Sequence, residues 1–154
     1  MPGDSLHVTL VFLGWTSPRS VGELWQTAVE AADGCKAPLL APAGLRALPP
    51  RRPRLFALEL SDGGARAARL HEVVADSLAA AGLHRRERRP FWPHVTLARV
   101  KRGARTRGLT RAEAAASEAQ GCAAFTAATL TLYRSDRSSA GARYVPLERL
   151  ELGR

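Results

Sequence analysis

Phe91-Trp92-Pro93-His94-Val95-Thr96-Leu97-Ala98-Arg99 carries at its centre a tetrapeptide, His-Val-Thr-Leu, that the chain has already used once, at His7-Val8-Thr9-Leu10. A repeated tetrapeptide points to internal duplication, and the content of the copies gives it weight. Each sets an imidazole two residues ahead of a hydroxyl in a β-branched, apolar context, and in an extended strand residues i and i+2 share a face. His7 and Thr9 are therefore expected to point one way, with Val8, Leu10 and Phe12 packing the other; His94 and Thr96 repeat that arrangement against Val95 and Leu97. Two such strands, facing each other across a groove, would surround a small anion with titratable groups and hydroxyl donors.

The rest of the composition permits this. A chain of 154 residues with 45% apolar content is long enough for one domain with a real core. The abundance of Ala and Arg reflects a GC-rich coding sequence more readily than a function. A formal charge of +9 favours an anionic partner, of which nucleic acid is the usual one, although a basic surface alone is a weak signal. Cys35 and Cys122 are too few and too scattered for a disulfide framework or a cysteine metal site, which suits a reducing cytoplasm. No apolar run approaches the roughly 20 residues of a membrane span, and the amino terminus does not read as a signal peptide. The expectation is a soluble cytoplasmic protein without membrane contact, acting as a monomer.

Along the chain, Leu6 to Leu13 alternates as a strand and stops at Gly14, before the turn signal Thr16-Ser17-Pro18. Val21, Leu24, Trp25, Ala28, Val29 and Ala32 recur at helical spacing, which predicts a helix over 21–32 ended by Gly34. Pro38 to Leu48 is interrupted by proline and reads as a short edge strand and loop. Beyond the stiff basic connector Pro49–Pro53, Arg54 to Leu60 is a strand bounded by Ser61-Asp62-Gly63-Gly64. A helix follows over about Ala65 to Ala81, carrying Leu70, Val73, Val74 and Leu78 and ending at Gly82. Thr110-Arg111-Ala112-Glu113 has the form of a capping box opening another helix. Phe125 to Tyr133 and Ala142 to Leu150 read as strands that form a hairpin across the Ser138–Gly141 turn. Trp15 and Trp25 are assigned to the core, and His71 and His84 to the surface.

Laid side by side, the halves are unequal. The second runs strand, helix, His-Thr strand, whereas the first begins at its His-Thr strand. If the duplication is real, a leading strand and helix equivalent to Arg54 through Gly82 are missing before Leu6, and the sheet edge beside His7 is expected to lie open.

Three stretches together resemble one family: Leu6 to Gly14, Arg89 to Arg99, and Leu132-Tyr133-Arg134-Ser135 with Gly141-Ala142-Arg143-Tyr144. Their likeness is to the 2H phosphoesterases, and within them to the bacterial and archaeal RNA 2′,3′-cyclic phosphodiesterases, also called 2′-5′ RNA ligases or LigT-like proteins. The resemblance covers nearly the whole chain. It implies a single bilobal α+β domain over residues 1–154, with two pseudo-twofold-related antiparallel sheets and outer helices around a central cleft. It also implies hydrolysis of RNA 2′,3′-cyclic phosphate ends to 2′-phosphomonoesters, with joining of 2′-5′ linkages as a weak reverse activity.

The residue types suit that chemistry. Opening a cyclic phosphate needs water activated on one side of phosphorus and the departing ribose oxygen protonated on the other. Histidine serves as base when neutral and as acid when protonated, so two of them meet the need with no metal or other cofactor. Threonine hydroxyls can donate to the non-bridging oxygens, where charge builds up. The resemblance assigns His7 as proton donor and His94 as proton acceptor; the residues themselves leave the two roles open. It also places Arg99 on the substrate phosphate beside Thr9 and Thr96. A regular strand aims Arg99 away from His94 and Thr96, an odd number of positions back, and only a bulge or the strand's end would return it.

More ordinary readings apply to each residue taken singly. A lone histidine in a β-branched strand is usually structural, and a lone threonine is a β-former. Arg85, Arg86, Arg88 and Arg89 form a solvated loop unless their place beside the second motif serves an RNA backbone. Phe91 and Trp92 are packing residues first and base-stacking platforms second. For the whole protein two other classes stand beside the enzyme: an RNA- or nucleotide-binding module that kept the cleft and lost turnover, and a His-ligated metal hydrolase. Binding alone does not require two imidazoles, and no carboxylate accompanies either motif at ligand spacing.

Overall fold

The computed structural model describes residues 6–101, 103–104, 106–108, 123–138 and 141–153. The chain divides into two compact units, Met1–Thr9 with Leu39–Gly63 and Trp92–Phe125, and Leu10–Pro38 with Gly64–Phe91 and Thr126–Arg154. Neither is a contiguous half of the sequence.

The first unit is built on a sheet of β1 (Leu39–Leu48), β2 (Leu55–Asp62), β3 (His94–Arg99) and the short β4 (Phe125–Thr126), in the order β3-β2-β1-β4, with β2 antiparallel to both β1 and β3. In β2 the alternation Leu55, Ala57, Glu59 against Phe56, Leu58, Leu60 gives the strand two half-buried faces, with Ala57 fully buried. The segment expected to be a short edge strand and loop is instead the ten-residue β1, flanked by β2 and β4. Its pairing with β2 shifts between Pro42 and Gly44, so the proline inside the strand is accommodated at an irregularity, while Pro38 stands before the strand.

The second unit holds the helices and the terminal hairpin. Ser17 Oγ accepts from the Arg19 backbone N–H to start a 3-10 turn at Pro18–Ser20, which runs into α1 (Val21–Ala32), the span that the spacing predicts. α2 (Arg66–Ala80) matches its expected limits to within a residue, and Gly82 beyond it adopts φ +71, the left-handed conformation that glycine takes without strain. Leu24 and Ala32 of α1 pack with Leu70, Val74 and Leu78 of α2 and with Ala37 and Leu152. Each of the larger side chains so buried contributes about 1.5–3 kcal/mol of transfer free energy, and this core holds the unit together. The hairpin pairs β5 (Thr129–Ser138) with β6 (Gly141–Glu151) along their whole length, with Tyr133 and Tyr144 edge to face. The expected single strand over 125–133 is broken at Ala127 and Ala128 into β4 and β5, because the backbone N–H of Ala127 bonds Pro38 and the carbonyl of Ala128 accepts from Leu152.

Three further expectations are corrected. Leu6 to Leu13 is not a regular strand: Val8 makes an isolated bridge, while Leu10, Val11 and Leu13 leave the ladder to pack on the helical core and Phe12 is 67% exposed. Trp15 is not a core residue but 91% exposed, while Trp25 is half-buried. His71 is no bare surface residue: its Nδ1–H donates to the Leu10 carbonyl at 2.7 Å and its ring stacks on Phe91. The capping box at Thr110–Glu113 lies outside the described residues. Among the described residues no helix is long and apolar enough to cross a membrane.

Candidate active site

The two repeats meet. Val8 pairs antiparallel with Val95, so the second residue of one motif lies against the second residue of the other. Continued one residue to each side, that register sets Thr9 across from His94 and His7 across from Thr96. Directly opposed residues share a face of a sheet, so a ladder continued in that register would carry both imidazoles and both hydroxyls on one face and the two valines on the other; the bridge itself is the Val8–Val95 pair. His7, His94 and Thr96 are half-buried there, and Thr9 is exposed.

Arg99 reaches the same face through a bulge, one of the two routes open to it. Ala57 pairs with Thr96 but Phe56 pairs with Ala98, so Leu97 is an extra residue in β3. After the bulge Arg99 stands opposite Leu55, two positions from Ala57, which returns it to the face of Thr96 and His94. Its side chain is exposed.

His94 is held from behind. Its Nδ1 lies 2.8 Å from the Trp92 carbonyl oxygen, and since a carbonyl can only accept, Nδ1 carries the proton. In the neutral ring Nε2 is then the free lone pair. The imidazole stacks on the Trp92 indole with centroids 4.0 Å apart and planes 16° from parallel. The indole Nε1–H donates to Glu59 Oε1 at 3.0 Å, and Glu59 Oε2 accepts from Arg46 Nε at 2.6 Å. Glu59 is also the register partner of His94 across β2 and β3. Burial pushes the Glu59 carboxyl up, but the hydrogen bonds from Trp92 and Arg46 and the guanidinium charge outweigh it and hold the group below its ordinary value of 4.5.

Glu59 and Arg46 are not among the residues that the sequence singles out for chemistry, and Trp92 is weighed there only for packing or base stacking. One signal is present: Glu59 is the acidic residue inside the apolar strand Leu55-Phe56-Ala57-Leu58-Glu59-Leu60, where an unpaired charge would be costly. The arginine-rich loop belongs to the other unit. Arg85, Arg86, Arg88 and Arg89 are exposed, Arg86 pairs with Asp76, and the loop borders a hollow of about 440 Å³ that also takes in His71 and Phe91.

Fold and comparison agree on the class. The structure of TT0787 from Thermus thermophilus superposes with a TM-score of 0.75 at 23% identity, covering 99% of this chain and 80% of that one. LigT from E. coli complexed with 3′-AMP matches with a TM-score of 0.64 at 26% identity, covering 98% of this chain and 79% of LigT. LigT complexed with NADP+ gives 0.62 at 26%, covering 98% and 78%. The α+β fold is thus that of the LigT-like 2H phosphoesterases. Residues 2–139 match the model of the 2′-5′ RNA ligase superfamily, and the chain belongs to that superfamily. No curated protein sequence matches it.

Proposed function

We propose that this protein is a metal-independent RNA 2′,3′-cyclic phosphodiesterase that leaves a 2′-phosphomonoester. The observation that carries the reading is the antiparallel pairing of the two His-Val-Thr-Leu repeats at Val8 and Val95; that register, continued one residue to each side, would group two imidazoles and two hydroxyls on one face. Water attacks phosphorus while His94 Nε2, the acceptor left by the Nδ1–H bond to Trp92, takes its proton. The bond from phosphorus to the ribose 3′-oxygen breaks as His7 delivers a proton to that oxygen. Thr9, Thr96 and Arg99 donate to the non-bridging oxygens, whose charge rises in the transition state. Exchange with solvent then restores both histidines. The 3′-AMP and NADP+ in the LigT structures support a nucleotide-sized ligand for the fold.

The test is turnover of a nucleoside 2′,3′-cyclic phosphate by the purified chain in excess chelator, with the product identified by phosphorus NMR. A 2′-phosphate, lost in both His7→Ala and His94→Ala, is the expected result. Turnover that survives either substitution, or that stops with chelator, would overturn the reading. Binding of the cyclic nucleotide without turnover would instead favour the nucleotide-binding module.

A further inference from the structure

The bond at His94 Nδ1 goes to a backbone carbonyl, yet a carboxylate governs the surface on which the ring rests. The imidazole lies flat on the Trp92 indole at 4.0 Å, and the indole edge is pinned to Glu59 at 3.0 Å. Glu59 is in turn held by Arg46 from β1. We propose that Glu59 and Trp92 are positioning residues for His94: the Glu59 carboxylate fixes the plane of the indole, and the indole fixes the plane of the imidazole. The inference rests on the reading of His94 as the proton acceptor.

A ring with one hydrogen bond at Nδ1 can still rotate about that bond, which sweeps Nε2 through an arc. Stacking on a broad, fixed surface removes that freedom, and the indole is fixed because its N–H has a charged acceptor on an adjacent strand. Register makes the arrangement compact, since Glu59 stands directly across from His94 and Arg46 stands across from Ala57 on the same face. Arg46 donates to the second carboxylate oxygen, Oε2, and neutralises part of the carboxylate charge. Among the described residues, the other titratable groups near His94 are Arg99, on its own strand, and His7, from the adjacent segment that pairs at Val8.

The test removes the tether without emptying its place. Glu59→Leu keeps a side chain of similar reach but no acceptor, while Glu59→Gln restores an acceptor for the indole N–H. Glu59→Leu is expected to lower kcat on a cyclic nucleotide about tenfold with KM within about twofold of the parent, as misplacement of a reacting group does. Glu59→Gln should recover most of that loss, which a merely structural role would not produce. NMR supplies a readout independent of turnover: the ring protons of His94, shielded by the stacked indole, should move toward unstacked positions in Glu59→Leu and return in Glu59→Gln. If the shielding persists in Glu59→Leu, or if kcat is unchanged while His94→Ala abolishes turnover, the positioning role is wrong. If His94→Ala leaves turnover intact, the two-histidine reading itself has failed, whatever the shielding does.

Discussion

Arg99 and Thr96 occupy one face of β3 although an odd number of positions separates them, because Leu97 is a bulge that takes no partner on β2. A strand without the bulge would put the guanidinium on the far side from both motif hydroxyls. If Arg99 supports the substrate phosphate, Arg99→Ala should lose about 10- to 100-fold in kcat/KM, the worth of a hydrogen bond to a charged group. Arg99→Lys, which keeps charge and loses the fork, should recover part of it. Steady-state kinetics of the two variants checks this, and parent-like values in Arg99→Ala would remove the residue from the site.

The hydroxyls admit a near-isosteric test. Thr96→Val preserves the β-branched shape at a half-buried position and deletes the donor. A fall of about 10²-fold in kcat is expected, the typical loss of one donor to a developing oxyanion. Circular dichroism should show the fold unchanged.

An acid and a base that act together make rate depend on pH in a bell. The rising limb marks the base losing its proton and the falling limb the acid losing its own. In kcat/KM both limbs should appear for the parent, and a flat profile through neutrality would count against a histidine pair.

Glu59 makes a prediction about stability. Its carboxyl titrates lower in the folded chain than in the unfolded one, so its charge adds stability above about pH 4.5, and that contribution is lost as pH falls through the lower folded value. Comparison with Glu59→Gln isolates it. The parent's advantage in chemical denaturation should be greater at pH 7 than at pH 3, by on the order of 1 kcal/mol or less because the Arg46 side chain is 51% exposed and screened by solvent. An advantage that grows toward pH 3 would reverse the assigned sign.

Local pattern made much of the fold legible. Leu24, Ala28 and Ala32 on one helix and Leu70, Val74 and Leu78 on the next recur at the period of an α-helix, and both helices form where that period predicts. Leu6 to Leu13 departs from its pattern for a reason of the same kind. Alternation names a segment that could be a strand, but a ladder also needs a neighbour along its length, and here Leu10, Val11 and Leu13 are taken by the helical core instead. Trp15 departs because bulk apolar character predicts burial only when something is available to cover it.

The sequence by itself determined which residues could do the chemistry, since two copies of one tetrapeptide carry the same imidazole and hydroxyl at a spacing of two, and that spacing is a property of extended backbone alone. The tertiary structure alone decided their register at Val8 and Val95, the bulge at Leu97 that turns Arg99 to the same face, and the Glu59 and Trp92 support behind His94. These are relations between residues far apart in the chain, and they follow from which backbone hydrogen bonds close between strands, a choice that no local period encodes.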